Sequence, residues 1–194
     1  MRTLEIDKDL HLRSFNEEDA VEFYELTIQS KSYLRKWLGW LDNINTMKDI
    51  ATNIQSKLNE PQENNGLPKS FAIIYKGKIV GTIGFNAIDK RNRVGTIGYW
   101  LGEEFEGQGI MSKTFQMIIN YGFVDLQLNR IEVHVAEGNH QSRALPIRFD
   151  FQEEGTLREA EWLYDHYVDH VLYSLLASEW RETSMNRSDL DGAY

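Results

Sequence analysis

A glycine-bearing turn, Gly107-Gln108-Gly109, separates a strand-like run from a helix-like run. The residues from Val94 to Leu101 have the character of a strand, and those after the turn carry apolar side chains at helical spacing. Backbone N–H groups converge at such a turn, and a helix N-terminus adds partial positive charge there. The pattern therefore predicts a binding site for a phosphate group, around which the rest of the chain is organised.

Two widespread phosphate-binding loops do not fit this turn. A Walker A loop requires Gly-x4-Gly-Lys-Ser/Thr, which the chain lacks. A dinucleotide fingerprint requires a third glycine, whereas Gly107 and Gly109 are followed by Ser112. A bare Gly-x-Gly is a weak signal, and its weight here comes from its position between a strand and an amphipathic helix.

Residue types limit the chemistry further. The chain contains no cysteine, which excludes disulfides, thiolate metal ligands and cysteine nucleophiles. Four histidines raise the question of a metal, namely His134, His140, His166 and His170. None of them forms a paired-ligand motif with carboxylates, so we expect no functional metal.

Composition and charge are those of a soluble globular protein. The 194 residues, of which 41% are hydrophobic, suffice for a sizeable core. The net charge of −9 argues against duplex nucleic acid as a partner and is compatible with a cationic amine substrate. No apolar run approaches the ~18 residues needed to cross a bilayer. The start, from Met1 to Asp7, is too polar for a signal peptide, and we expect a cytoplasmic protein.

Hydrophobic periodicity predicts the first half of the chain as a strand followed by helices. The predicted elements are a strand at Leu10–Phe15, a helix capped by Asn16, a short helix carrying Tyr33 to Leu38, and a helix from Met47 to Leu58. The polar stretch from Asn59 to Pro68 is expected to be a mobile loop. The very apolar cluster Trp37–Leu41 has three readings: core packing, a wall of a substrate groove, or a dimer contact.

From Ser70 onward the periodicity changes to that of strands. Three strands should form an antiparallel meander, at Ser70–Tyr75, Lys78–Phe85 and Val94–Leu101. Further along we expect an amphipathic helix to about Asp125, a strand at Arg130–Val135 parallel to its neighbour, a helix at Asn139–Phe149, a turn opened by Gln152–Gly155, and a strand at Tyr167–Leu176 that closes the sheet. The segment from Arg181 to Tyr194 should fray.

From about Leu12 to Trp180 the chain resembles the GNAT N-acetyltransferases, in the branch of the ribosomal-protein acetyltransferases RimJ and RimL. The residues that carry this resemblance are Leu12-Arg13, Ile97-Gly98-Tyr99-Trp100-Leu101, Phe105-Glu106-Gly107-Gln108-Gly109-Ile110-Met111, Leu128-Asn129-Arg130, Asn139-His140-Gln141-Ser142-Arg143-Ala144 and Phe151-Gln152-Glu153-Glu154-Gly155.

The resemblance implies an α/β (α+β) fold: a mixed, mostly antiparallel, splayed sheet of about six to seven strands flanked by about four to five helices. It also implies one acetyltransferase domain over residues 1–180, followed by a polar tail over residues 181–194. The strand ending at Leu101 would part from the strand starting near Arg130, leaving a gap for the pantetheine arm of acetyl-CoA.

The family pattern assigns residues to acetyl-CoA by position. The matching positions are Tyr99, Trp100 and Leu101 for the pantetheine amides, Gln108, Gly109, Ile110, Met111 and Ser112 for the pyrophosphate, and Asn139 and Ser142 near the reacting end of the pantetheine. For Asn139, a helix N-cap is an equally good reading, and both roles can hold at once.

The family pattern also implies two catalytic residues. A serine at the position of Ser142 is the proposed proton donor to the departing thiolate, and a glutamate at the position of Glu161 is the proposed base. A serine hydroxyl is a poor acid, so Ser142 could instead orient groups, bond the sulfur, or only cap a helix. The alternative for Glu161 is an exposed surface carboxylate.

Three positions depart from the family pattern. Glu106 stands where the loop usually begins with Gln or Arg, and Met111 where Gly or Ala is common. Asp150 replaces a glycine in the turn after the last helix, and we expect it to take a positive φ, which Asp tolerates better than most residues.

The resemblance suggests as acceptor the N-terminal α-amine of a ribosomal protein, acetylated by direct transfer in a ternary complex. An α-amine has a pKa of ~7.7–8.0 against ~10.4 for lysine, so a modest carboxylate base serves it better. A small-molecule amine acetyltransferase, acting on a polyamine or an antibiotic, and a non-catalytic CoA-binding module are the alternatives. Family habit and the apolar Trp37–Leu41 patch favour a homodimer.

Overall fold

The structure, a computed structural model, describes residues 2–63 and 66–180. Within these ranges there are eight strands: β1 (Thr3–Glu5), β2 (Leu10–Arg13), β3 (Ser70–Tyr75), β4 (Lys78–Asp89), β5 (Val94–Leu101), β6 (Arg130–Ala136), β7 (Gln152–Leu163) and β8 (His166–Leu176). The described α-helices are α1 (Ala20–Gln29), α2 (Lys31–Leu34), α3 (Met47–Glu63), α4 (Ile110–Val124) and α5 (His140–Arg148), with short 3-10 turns at Glu17–Asp19, Gly39–Asn43 and Glu103–Phe105.

All the strands belong to one sheet with the order β1-β2-β3-β4-β5-β6-β8-β7. Every neighbouring pair is antiparallel except β5 and β6, which are parallel and joined through α4. This confirms the predicted mixed, mostly antiparallel sheet, with eight described strands instead of about six to seven. Within the described chain, no helix is long and apolar enough to cross a membrane.

The sheet splays between β5 and β6. Their pairing runs from Val94 opposite Arg130 to Ile97 opposite Val133 and then stops. On its other edge β5 stays paired with β4 as far as Leu101. The backbone groups of residues 98–101 that face β6 therefore have no partner among the described strands and border an open gap, as expected.

Two cores cover the two faces of the sheet. Since side chains alternate along β5, Ile97 packs with Phe115 and Ile118 of α4, while Trp100 points to the opposite face. There Trp100 stacks on Phe23 of α1, with ring centroids 5.5 Å apart.

The N-terminus of the first helical segment is fixed by the residue predicted to cap it. The side chain of Asn16 accepts a hydrogen bond from Glu18 N, and Asp19 accepts one from Asn16 N at 2.8 Å. Arg13 also donates two hydrogen bonds of 2.7 Å to the buried Asp19 carboxylate. These contacts form a capping box tied to strand β2.

The prediction that Gln152–Gly155 opens a turn was wrong, because these residues begin the strand β7. As a result β8 does not close the sheet but lies between β6 and β7. Most of β7 is exposed and polar, as edge strands often are, so no alternation of apolar residues marks it. The short edge strand β1 was likewise not predicted.

Helix α3 also continues past the expected end at Leu58, as far as Glu63. The Glu60 carboxylate accepts hydrogen bonds from the backbone N–H groups of Lys69 and Ser70 at 3.1 and 3.0 Å, which tie the last turns of α3 to the start of β3. Residues 64–65 of the predicted mobile loop and the predicted fraying tail, residues 181–194, lie outside the described residues.

Candidate functional site

A groove of about 1140 Å³ opens where β5 and β6 part. The glycine turn and α4 border one end of it, α5 borders one side, and the segment around the 3-10 turn Gly39–Asn43 borders another. Both Ser142 and Glu161 line this groove. Residues of α3, β3 and β4 extend the lining away from the gap.

The glycine turn has the local geometry of an anion-binding site. Gly107 and Gly109 have φ of 71° and 75°, a conformation that L side chains rarely adopt. Gly109 is the N-cap of α4 and brings no capping side chain. The first N–H groups of this 15-residue helix therefore remain available to a ligand.

The five residues predicted to bind the pyrophosphate do not all line the groove. Gly109, Ile110, Met111 and Ser112 line the groove, as do all three predicted pantetheine positions of β5. The side chain of Gln108 instead donates a hydrogen bond to Glu104 O at 3.1 Å, outside the groove lining.

Arg148 is a site residue that sequence reasoning missed. From the last turn of α5 its Nη1 donates a hydrogen bond of 2.5 Å to Ser112 Oγ, beside the N-terminus of α4. Arg148 lines the groove, so it places a positive charge next to the predicted phosphate site. The contact spans 36 positions of sequence, and no local motif indicates it.

Asn139 is the N-cap of α5, which is one of the two roles predicted for it. Its Oδ1 accepts a hydrogen bond from Ser142 N at 3.1 Å. The capping group of α5 is thus Asn139, and the Ser142 hydroxyl makes no hydrogen bond to a described residue. This hydroxyl is therefore free for another role within the groove.

Tyr99 connects the end of β5 with α5. Its hydroxyl donates a hydrogen bond to Ser142 O at 2.9 Å. Burial raises the pKa of the Tyr99 hydroxyl, which stays protonated and keeps donating throughout the physiological pH range. The two sides of the groove are held together by this bond at the turn of α5 that carries Ser142.

Glu161 reaches the groove from the edge strand through a bulge. Leu157 pairs with His170 and Glu161 with Val168, so three residues of β7 lie opposite Asp169 alone. Within the bulge, Glu159 N donates to Asp169 Oδ1 at 2.7 Å. Bulges commonly re-aim side chains next to active sites, and this one precedes Glu161.

A histidine partners the Glu161 carboxylate. Nε2 of His170 lies 3.1 Å from Glu161 Oε2, and the two side chains are 15% and 37% exposed. Oε1 has no hydrogen-bond donor among the described residues. Glu161 is thus a partly exposed carboxylate that also faces the groove with one free oxygen.

The other histidines considered as metal ligands do not gather around an ion. His134 lies on β6, with its Nε2 3.2 Å from Glu132 Oε2. His166 pairs with Asp165 at the tip of the β7–β8 hairpin. The described residues include no group of three or more His, Asp or Glu that could hold a metal.

The apolar cluster at residues 37–41 contributes to the core and to the wall of the groove, which are two of the three roles predicted for it. Leu41 is fully buried in the core. Trp37, Leu38 and Trp40 line the groove. The Tyr164 hydroxyl donates to Leu38 O at 2.7 Å, so the hairpin tip of β7 and β8 is joined to this wall.

The departures from the family pattern have local explanations. The Glu106 carboxylate accepts a hydrogen bond from the Tyr33 hydroxyl, whose pKa is raised by burial and by this carboxylate. The Met111 carbonyl accepts a hydrogen bond of 3.0 Å from the Thr114 hydroxyl, and Met111 lines the groove. Asp150 has φ of 60°, which confirms the left-handed conformation expected there.

Comparisons with known proteins point to one family. The acetyltransferase (GNAT) domain family matches residues 9–152. The putative ribosomal N-acetyltransferase YdaF of Bacillus subtilis is 35% identical over 181 residues, covering 93% of this chain and 98% of that protein. The ribosomal-protein-serine acetyltransferase of Escherichia coli is 31% identical over 172 residues, covering 89% and 95%.

The fold is also that of a solved relative with bound coenzyme A. The structure of RimL, the ribosomal L7/L12 alpha-N-protein acetyltransferase, in complex with coenzyme A superimposes with a TM-score of 0.86 at 27% identity. The match covers 92% of this chain and 99% of that chain.

Proposed function

The chain belongs to the GNAT acetyltransferase family and is an acetyl-CoA-dependent N-acetyltransferase, and we propose that its acceptor is the N-terminal α-amine of a ribosomal protein. The observation that carries this proposal is the carboxylate of Glu161, which lines the groove and lies 3.1 Å from His170 Nε2. Roughly a tenth or more of an α-amine is neutral at pH 7, but well under a hundredth of a lysine amine. A carboxylate base therefore serves an α-amine better than a lysine amine.

The groove fits the parts of acetyl-CoA in order. The unpaired edge of β5 at residues 98–101 offers backbone donors and acceptors to the pantetheine amides. The free N–H groups at the start of α4 suit the pyrophosphate, and the Arg148 guanidinium adds opposite charge. Added Cβ atoms at Gly107 and Gly109 would meet no heavy atom within 4 Å, so the glycines leave open space there.

In the proposed reaction the neutral amine attacks the thioester carbonyl carbon, and the C–S bond then breaks. Glu161, directly or through one water, takes the proton that the amine nitrogen loses. The departing thiolate receives a proton from the Ser142 hydroxyl, which regains one from water, or the hydroxyl only bonds the sulfur while water supplies the proton. Because the chain has no cysteine, no cysteine thioester forms on the enzyme.

His170 has a positioning role in this scheme. An imidazole that donates Nε2–H to Glu161 Oε2 leaves Oε1 for the amine. Asn139 positions Ser142 by holding the first turn of α5. Catalysis then rests on two side chains, each fixed by one neighbour.

The proposed enzyme acts in the cytoplasm as a homodimer. The apolar patch at residues 37–41 remains a candidate dimer contact, and its aromatic side chains also line the groove. Family resemblance carries this part of the proposal. Light scattering coupled to gel filtration tests it, and a monomer at micromolar concentration contradicts it.

The acceptor is tested by incubating the protein with acetyl-CoA and peptides that match ribosomal-protein N-termini. Thiol release gives the rate, and mass spectrometry locates the acetyl group. We expect acetylation at the α-amine and loss of rate in Ser142→Ala and Glu161→Gln, with affinity for acetyl-CoA retained. Turnover of a polyamine or an aminoglycoside but of no peptide contradicts the proposed acceptor, and no thiol release with any amine indicates a non-catalytic CoA-binding module.

A further inference from the structure

A polar corner of the groove lies away from the acetyl-CoA gap. Helix α3 buries Ile50 and Ile54 in the core, whereas Asn53, Lys57 and Glu60 line the groove. Ser70 of β3 and Thr82 of β4 line the same corner. The mechanism proposed above uses none of these residues.

Lys57 brings a partly buried cation to this corner. Its Nζ donates to Ser70 Oγ at 3.3 Å and lies 5.4 Å from the centroid of the Phe15 ring. Among the described residues no carboxylate comes within salt-bridge distance of Nζ. Two of the three N–H donors of the ammonium are therefore unused within the described structure. Burial lowers the pKa of the Lys57 ammonium despite the nearby charge of Glu60.

Glu60 does not neutralise Lys57 by direct contact because its carboxylate is already occupied. It accepts hydrogen bonds from Lys69 N and Ser70 N, and from Ser70 Oγ at 2.9 Å. Lys69 adds a second positive charge nearby. Among the described residues that act on the Lys57 ammonium, Lys69 is thus a second cation and Glu60 is a carboxylate bound to the start of β3.

Strand pairing places this corner level with the start of the gap between β5 and β6. Ser70 pairs with Gly84, and Gly84 pairs with Gly98. Gly98 is the first residue of β5 beyond its last pairing with β6, at Ile97. With strands ~4.8 Å apart, β3 lies about 10 Å from β5, the length of about three extended residues. Gly84 and Gly98 both line the groove between them.

We propose that Lys57 and Asn53 form an anion subsite that binds a carboxylate of the acceptor, carried by its second or third residue. This rests on the proposed function, in which the acceptor is a peptide N-terminus. The α-amine lies at the gap beside Glu161, and the acidic side chain reaches along the groove to the Lys57 ammonium.

The test compares isosteric acceptors. Hexapeptides with N-terminal serine carry Glu or Gln at position 2 or 3, and kcat/KM is measured for each with acetyl-CoA. The wild-type protein should favour Glu over Gln by about tenfold or more at one of these positions, since a bond to a charged group is involved. Lys57→Met should bring the ratio close to one, Lys57→Arg should largely keep it, and Lys57→Glu should reverse it.

Lys48→Met is the matched control, because Lys48 is an exposed lysine on the same helix. It should keep the wild-type ratio. A Glu/Gln ratio near one in the wild type, or a ratio that survives in Lys57→Met, overturns the subsite. Equal turnover of all peptides overturns the subsite alone and leaves the proposed function intact.

If no peptide is acetylated, the proposed function fails, and a second measurement decides the subsite. The same Glu and Gln peptides are titrated calorimetrically into the protein loaded with coenzyme A. A tenfold preference for Glu that depends on Lys57 supports the subsite, and no difference in affinity contradicts it. Thermal unfolding of each variant shows whether the fold is retained.

Discussion

Nε2 of His170 lies 3.1 Å from Oε2 of Glu161, across the β7–β8 pair and next to the bulge in β7. The bulge contains Glu159 at φ of 51°, a left-handed conformation that costs a non-glycine residue about 1 kcal/mol. Its N–H is held by the Asp169 carboxylate. The strained backbone of Glu159 thus lies in the bulge that directs Glu161 into the groove. His170 orients one oxygen of the Glu161 carboxylate.

Replacing His170 should therefore lower the rate without changing the binding of the donor. We expect His170→Phe to reduce kcat about tenfold with the KM for acetyl-CoA unchanged, and Glu161→Gln to reduce it by about a hundredfold or more. His170→Gln keeps an N–H donor and should recover much of the rate. Steady-state kinetics with a saturating peptide acceptor measures all three.

The chain contains a matched control for this prediction. His166 pairs with Asp165 at 2.7 Å, but both side chains are largely exposed, 61% and 86%, at the hairpin tip. His166→Phe should leave kcat unchanged. Equal losses in His166→Phe and His170→Phe would show that the hairpin responds to any such change, which would remove the positioning role of His170.

Arg148 should contribute to the binding of the donor. Its guanidinium bonds Ser112 beside the first turn of α4, where the pyrophosphate is proposed to bind. A hydrogen bond between the guanidinium and the pyrophosphate should strengthen binding about tenfold or more. Arg148→Met should therefore raise the Kd of coenzyme A by that factor. Isothermal titration measures it. Arg91→Met, in the exposed β4–β5 turn, is the control that should change nothing, and an unchanged Kd in Arg148→Met contradicts the assignment.

Gly109 should matter both for stability and for the donor site. At φ of 75° an alanine is strained even though the space is open, so Gly109→Ala should cost about 1 kcal/mol of unfolding free energy. It should also weaken coenzyme A binding, since the N–H groups of the loop would shift.

Gly77 separates these two effects. It has φ of 78° with open space in the remote β3–β4 hairpin. Gly77→Ala should lose comparable stability in urea unfolding but keep the affinity for coenzyme A. If both variants bind coenzyme A as the wild type does, the turn is not the pyrophosphate site.

The elements that flank the proposed donor site could be predicted because their signals are local. A strand, two glycines and an amphipathic helix follow one another between Val94 and Val124, and the sequence periodicity changes at the glycines. The left-handed Asp150 was likewise predicted from one position of the family pattern. Each of these depends on neighbouring residues only.

The contacts of the acceptor half escaped prediction because they join residues that are distant in sequence. Tyr164 and Leu38 are 126 residues apart. One contact of the donor half escaped for the same reason, since Arg148 reaches Ser112 across 36 positions. Strand β7 lies at the edge of the sheet and is mostly exposed, so no apolar alternation indicates it. Consequently the bulge that aims Glu161, and the pairing of Glu161 with His170, have no signature in the sequence.

The ion pair of Arg13 and Asp19 should be the most costly to break among the ion pairs of the described residues. Arg13 donates two hydrogen bonds of 2.7 Å to Asp19, and the side chains are only 18% and 6% exposed. Arg13→Met would leave the buried Asp19 carboxylate without its cation, and removing one partner of a buried pair costs about 3–5 kcal/mol. Urea unfolding followed by circular dichroism measures this loss.

Arg35→Met is the matched control for Arg13→Met. Arg35 also makes two hydrogen bonds to a carboxylate, that of Asp42, but both side chains are nearly half exposed. Because water solvates the remaining charge at such a site, Arg35→Met should hardly change the urea midpoint. Equal midpoints in the two variants would mean that Asp19 is satisfied by the Asn16 backbone N–H alone, and that the capping box does not need Arg13.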